Sequence, residues 1–352
     1  MARLLRKAAL SALGALAIAV TLAACSTEPD YTGRVIVDLN RTTSAVASVS
    51  SVLSDSARVF TLAPDVNGVY SFASDTLPTD LYVLTFDSAH ALPLVVVSGD
   101  GQKVCGTLRE WDNLSVSDAQ TRVAFRAEAL RKSLSVASDS ALTAAKVTTA
   151  DGRKLVADSL TKIRIAVRRE ADAMLSELPD TSLAALPLLG LPGLYDDAAD
   201  NVMLLRRATA LADRWTHLAQ LALRRDHLQK VKRLNALRDA YAAGKHMSDF
   251  LFISTSGDTL SAANMTGKRM ALAFLPDSAA TPRSVSSRLG LMALDGTPVL
   301  VQSADGKADV SGRGVRKGRF VSVGRGADID LFRPVVIIVA KDGSVERLSI
   351  GK

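Results

Sequence analysis

Thr266-Gly-Lys-Arg-Met-Ala-Leu-Ala-Phe-Leu-Pro-Asp-Ser-Ala-Ala-Thr-Pro-Arg283 is the segment from which the rest of the chain is best read. Met270 to Phe274 is a short apolar run and reads as a strand. Pro282 sits where a first helical turn tolerates proline, and Ser284 to Leu294 is the helix that follows. The flanking sequence repeats the strand signal: Phe250-Leu-Phe-Ile253, Pro298-Val-Leu-Val-Gln302, Phe320-Val-Ser-Val323 and Pro334-Val-Val-Ile-Ile-Val339. Val345 to Leu348 pairs back across the Asp342-Gly343 turn. The stretch from about residue 245 to 352 is therefore a zone of strands with one helix.

Upstream the pattern changes twice. Residues 118–244 are helical: Leu160, Ile163, Val167, Ala171, Met174 and Leu178 recur at steps of three or four, and Leu228, Val231, Leu234, Leu237 and Tyr241 do so again. Pro179-Asp-Thr-Ser182 ends one helix and can cap the next, while Leu183 to Leu194, broken by Pro187 and Pro192, reads as a short buried helix and a turn. Residues 34–117 read as β. Runs such as Arg34 to Leu39, Gly68 to Phe72, Leu81 to Phe86 and Leu94 to Val97 are separated by Asn67-Gly68, Asp100-Gly101 and Ser/Asp/Pro clusters. Thr43 to Ser54 suits either a strand pair or a loose loop. An antiparallel sandwich or open barrel of about six to eight strands is the packing this predicts.

Residues 1–24 read as a signal. Arg3, Arg6 and Lys7 precede an uncharged run from Ala8 to Val20, too short to span a bilayer, which ends in Leu22-Ala-Ala-Cys25. That ending resembles the lipobox of bacterial lipoproteins. The resemblance implies lipidation of Cys25, a linker over 25–33, and a cell-envelope location; Ser26 after the cysteine favours the outer membrane.

The formal charge is +7, and three of the basic residues lie in the signal, so the remainder is only mildly basic. That excludes a nucleic-acid footprint. With Cys25 lipidated, Cys105 is the one remaining thiol, so an internal disulfide is excluded. Cys105 lies in a strand-like run and reads as a structural cysteine.

The order of zones is similar to lipoproteins related to the TlpA and ResA thiol-disulfide oxidoreductases. The likeness rests on Asn67-Gly-Val-Tyr-Ser-Phe72, Leu178-Pro-Asp-Thr-Ser-Leu-Ala-Ala-Leu186 and Thr266 to Phe274. It implies an α+β multidomain chain: an N-terminal β-sandwich or barrel, a helical middle and a C-terminal degenerate thioredoxin-like α/β domain. In that family Cys-x-x-Cys follows the central strand at a helix start, where the first thiol's pKa is lowered. Here Ala279 and Pro282 occupy those positions, and Pro334 stands where the family keeps a cis-proline. The segment Gln302 to Gly326, rich in Gly, Ser and charge, replaces a helix and strand of the family.

Other candidates read blandly. Asp87-Ser-Ala-His90 holds triad residue types, yet sequence adjacency does not make triad geometry. The four histidines, His90, His217, His227 and His246, form no pair at metal-ligand spacing, so no metal and no cofactor are expected. Gly312-Arg-Gly-Val-Arg-Lys-Gly318 is phosphate-friendly but lacks the context of a nucleotide loop, and reads as a flexible basic hairpin or loop. Arg224, Arg225, Lys230, Lys232, Arg233 and Arg238 read as a solvated helix face. The sequence thus favours a non-catalytic, membrane-anchored lipoprotein that binds or scaffolds an envelope protein. The alternatives are a partner-dependent redox role and a solute- or glycan-binding lipoprotein.

Overall fold

The computed structural model describes residues 32–40, 45–54, 59–87, 90–147, 149–247, 250–265, 267–307, 310–323 and 333–351. The signal and Cys25 lie outside the described residues. The chain divides into two compact units, Met1–Leu228 and Gln229–Lys352. It is an α+β protein, and no helix among the described residues is long and apolar enough to cross a membrane.

In the first unit eight strands form two four-stranded sheets: β1 (Arg34–Asp38), β2 (Ala47–Ser51), β3 (Val59–Leu62), β4 (Val69–Ala73), β5 (Asp80–Thr85), β6 (Ala91–Val96), β7 (Gln102–Cys105) and β8 (Ser115–Val116). One sheet has the order β4-β1-β7-β8 and the other β3-β2-β5-β6. Alternate residues point inward, so Val35, Val37, Tyr70, Phe72, Val49, Tyr82, Leu84, Leu92 and Leu94 share one core. Each such side chain contributes roughly 1.5–3 kcal/mol by leaving water.

The sandwich is not wholly antiparallel as the sequence predicts, because β1 pairs with β7 in parallel. The β5–β6 hairpin belongs to the other sheet, so the chain returns to β1 by a crossover and not by a tight turn. The ambiguous segment before Ser54 resolves as the single strand β2, held between β3 and β5. At its end the buried Asp80 carboxylate accepts from the Ser51 hydroxyl and from the backbone N–H of Leu81 at 2.6 Å.

Five helices complete the helical part: α1 (Ala119–Val147), α2 (Ala150–Glu177), α3 (Ala185–Leu189), α4 (Asn201–Arg214) and α5 (Ala219–Ala240). Their apolar faces meet in clusters around Leu130, Leu134, Val167, Leu175 and Leu188. The Pro179–Ser182 segment does not cap α3 with a side chain: Ala184 is the residue before that helix, and Ser182 is engaged elsewhere. Its hydroxyl donates to Gln120 Oε1 at 2.8 Å, and α3 begins without a side-chain cap. The end of α2 is served instead by Arg207, which is buried and donates to the carbonyl oxygens of Leu175, Leu178 and Pro179.

The second unit begins inside α5. It holds β9 (Phe250–Ser254), β10 (Thr259–Ser261), β11 (Met270–Leu275), α6 (Arg283–Leu294), β12 (Val299–Ser303), β13 (Val315–Val323), β14 (Val335–Val339) and β15 (Val345–Ile350). These strands make a seven-stranded sheet of order β10-β9-β13-β12-β11-β14-β15. β11, β12 and β13 run parallel to their neighbours among themselves, and the outer pairings are antiparallel. Every residue of β11 is buried, as befits a central strand covered on both faces. One face packs Ala271, Ala273, Val299 and Val301 under Leu289 and Ala293 of α6. The other packs Phe274 against Phe320 at 4.6 Å, with Leu237 and Tyr241 from the end of α5.

One reading is corrected here. Gly312 to Gly318 is not a flexible hairpin: from Val315 it is strand, inserted between β12 and β9. The same strand, β13, extends the expected Phe320–Val323 run back to Val315 within the Gly- and Ser-rich segment that begins at Gln302.

Candidate functional site

In sheets with parallel strands, ligand sites form beyond the carboxyl ends of those strands. Here that end is built by the residues after β11 and after β12. Phe274 pairs with Val335 and Leu275 with Ser303, so the turn following β11, the turn following β12 and Pro334 all lie at one end of the sheet.

The turn Pro276 to Pro282 is shaped by Asp277. Its carboxylate accepts from the Ala280 N–H at 2.7 Å, and its carbonyl accepts from the Thr281 N–H at 3.0 Å. Pro282 is the residue before α6, in extended conformation and without a capping side chain. Ala279 and Pro282 both lie in the strand-to-helix turn, Pro282 at the helix cap and Ala279 three residues before it. Neither carries a group able to attack a disulfide. At Pro334 the carbonyl accepts from the Gly351 N–H at 2.7 Å.

Two residues unmarked by the sequence complete this end. The Asp305 carboxylate accepts from the Ser278 N–H (3.0 Å) and hydroxyl (2.7 Å), the Ser303 hydroxyl (3.1 Å) and the Lys307 N–H (2.9 Å). The Ser278 donors, then the Lys307 N–H, hold this exposed carboxyl well below the usual carboxylate range. A group so bound ties two loops together and is a poor general base. The sequence signal was only an Asp-Gly pair in a polar loop.

The other candidates resolve as structural contacts. His90 Nδ1 meets its own turn's Asp87 at 2.9 Å, His217 Nε2 meets the Thr79 carbonyl at 2.9 Å, and His246 Nε2 meets the Asp342 carbonyl at 3.1 Å. His227 and Arg224 both bind Asp197, whose pKa is lowered chiefly by Arg224, and Arg225 pairs with Asp213 and Asp226. Part of the basic helix face is therefore paired. No group of three metal-ligating side chains occurs among the described residues. Cys105 is half-buried on β7, opposite Ser115.

The densest polar cluster lies in the first unit. The Arg168 guanidinium donates to Asp200 at 2.8 Å and Asp172 at 2.9 Å, and lies 4.0 Å from the centre of the Tyr195 ring. Burial, then the bond to Asp172, pushes the Tyr195 hydroxyl pKa up. With its donors and acceptors matched in this way, the cluster reads as a clamp between α2 and the turn before α4.

No family model matches the chain, and no curated protein matches it. Solved structures similar to part of it are thioredoxin-like or thiol-disulfide proteins. A thioredoxin-like protein from Bacteroides caccae is 14% identical, over 56% of this chain and 77% of that one, with a TM-score of 0.29. A thiol:disulfide interchange protein DsbE from Chlorobium tepidum is 16% identical, over 31% of this chain and 86% of its own, with a TM-score of 0.23. The exposed lipoprotein thioredoxin Etrx1 from Streptococcus pneumoniae is 15% identical, over 30% and 90%, with a TM-score of 0.21.

Proposed function

We propose that this chain is an envelope lipoprotein, anchored through Cys25, whose second unit is a thioredoxin-type sheet used for binding and not for thiol-disulfide exchange. The carrying observation is the turn between β11 and α6. It leads from the central strand to a helix start, where the resembled family keeps its two cysteines, and it carries Ala279 and Pro282 and no cysteine. A thiol-disulfide exchange centre needs an attacking and a resolving sulfur. Between residues 229 and 352 the sequence contains no cysteine.

A scaffold stripped of its nucleophile still offers its surfaces, and function then follows from those surfaces and not from the fold. The test is insulin reduction by the purified chain under a thiol donor. Background turnover is the expected result, and sustained turnover would overturn the reading. Mass spectrometry of the N-terminal peptide from envelopes tests the anchor: a diacylglyceryl mass on Cys25 is expected, and an unmodified cysteine removes the lipoprotein claim.

A further inference from the structure

We propose that the α6 face of the second unit's sheet holds a site for a small organic anion, one with a phosphate or carboxylate head and a short aliphatic body. The proposal rests on the binding-module reading above and gives that module a ligand class. α6 covers Val299, Val301 and Val315, but the sheet continues beyond it. Strand alternation puts Lys317 and Arg319 on the same face as Val315, with Val301 beside Lys317 and Ile253 beside Arg319. Lys317, Arg319, Val301 and Ile253, with Thr255 and Ser303, line a cavity of about 280 Å³.

Three observations point to an anion. First, Lys317 and Arg319 sit two residues apart on one strand, where like charges repel. Among the described residues neither has a carboxylate within ion-pair reach, whereas Arg168, Arg224, Arg269 and Arg316 all do. Second, the site lies at the carboxyl end of the parallel pair β12/β13, where sheets of this kind take ligands. Third, the wall is cationic and hydroxylic while Ile253 and Val301 are apolar, so a charged head and a compact hydrocarbon both find partners. An arginine fork and a lysine together suit the several oxygens of a phosphate or carboxylate. Asp305, the acidic group at the rim beside Gly306, has its oxygens engaged by Ser278, Ser303 and Lys307. The size fits a small molecule and not a protein segment.

The test is calorimetric titration of the full chain with inorganic phosphate, n-butyl phosphate and pentanoate, at about 150 mM salt to suppress non-specific attraction. Saturable one-to-one binding of n-butyl phosphate or pentanoate is expected. The double variant Lys317→Met/Arg319→Met should weaken it at least tenfold. Lys317→Arg should retain it, as should Arg316→Met, whose side chain is on the opposite face and paired with Asp258. Unchanged binding in the double variant, or no saturable binding of any probe, overturns the site. Binding only to phosphatidylglycerol vesicles would assign the cations to a lipid surface and overturn it as well. Insulin reduction is read separately, so loss of the ligand site and loss of the non-redox reading give different results.

Discussion

The Asp305 carboxylate accepts from both the backbone N–H and the hydroxyl of Ser278, 27 residues earlier in the chain. The contact fastens the turn after β11 to the turn after β12, so the site end of the sheet is held by one exposed acid. Its folded pKa is depressed below the ordinary 3.8, so its contribution is present above that value and lost as pH falls through the lower folded value. We expect the Ser278 amide to stay protected from exchange from neutral pH down to about pH 4. Asp305→Ala should speed its exchange throughout that range. An amide shift titrating at an ordinary carboxylate pH would contradict this.

Asp80 shows the opposite sign. Burial raises its pKa above 3.8 despite hydrogen bonds from the Ser51 hydroxyl and the backbone. The folded state therefore binds the proton more tightly, and stability is lost as pH rises from 3.8 through the folded value. Urea titrations should show a larger margin of the natural chain over Asp80→Asn at pH 3.5 than at pH 7. A margin that grows with pH refutes the assignment.

Gly318 is required by a backbone approach. A β-carbon there would stand 2.1 Å from the Ile253 carbonyl oxygen, on the neighbouring strand. Gly318→Ala should cost on the order of 3 kcal/mol by forcing β13 from β9. Gly314→Ala, whose added carbon meets nothing nearer than 3.5 Å, should change stability by about 0.5 kcal/mol or less. Equal midpoints for the two variants in denaturant would sink the argument.

That glycine also shows where sequence reading stops. β11 was legible because an unbroken apolar run suits a strand buried on both faces, and α6 because its start follows Pro282. Only half of β13 was legible: Phe320 to Val323 reads as a strand, but Arg316, Lys317 and Arg319 give the first half the look of a loop, and only β12 and β9 on either side make it a strand. The β1–β7 parallel pairing was equally hidden, since it depends on a crossover through the other sheet. At the site, the strand-to-helix turn that holds Ala279 and Pro282 was legible, since an apolar run precedes it and a proline marks the helix start. The Ser278–Asp305 tie and the Lys317–Arg319 pair depend on contacts between segments far apart in sequence.

Arg207 provides a test in the first unit. Burial lowers its pKa, yet its guanidinium serves the carbonyls at the end of α2. Arg207→Met should cost about 1–3 kcal/mol, because buried acceptors lose their donor. Arg207→Lys should recover only part of that, since an ammonium lacks the planar fork. A neutral or stabilising Arg207→Met would mean that relief of the buried charge outweighs the lost bonds.

The strand order of the second unit leaves β10 and β15 as its outermost members. β10 has three residues, too short to guide another chain, whereas β15 has six, and its first, Val345, is already bonded by the Gly244 N–H and the Lys245 carbonyl. On that border stand Glu346 and Arg347, both exposed, with Glu346 held by Arg269 at 2.8 Å. Charged side chains on a border strand deter fibril-like stacking between molecules. What keeps this border from pairing with another molecule is therefore a short charged fringe and the tie at Val345, and not the interior that gives the unit its shape.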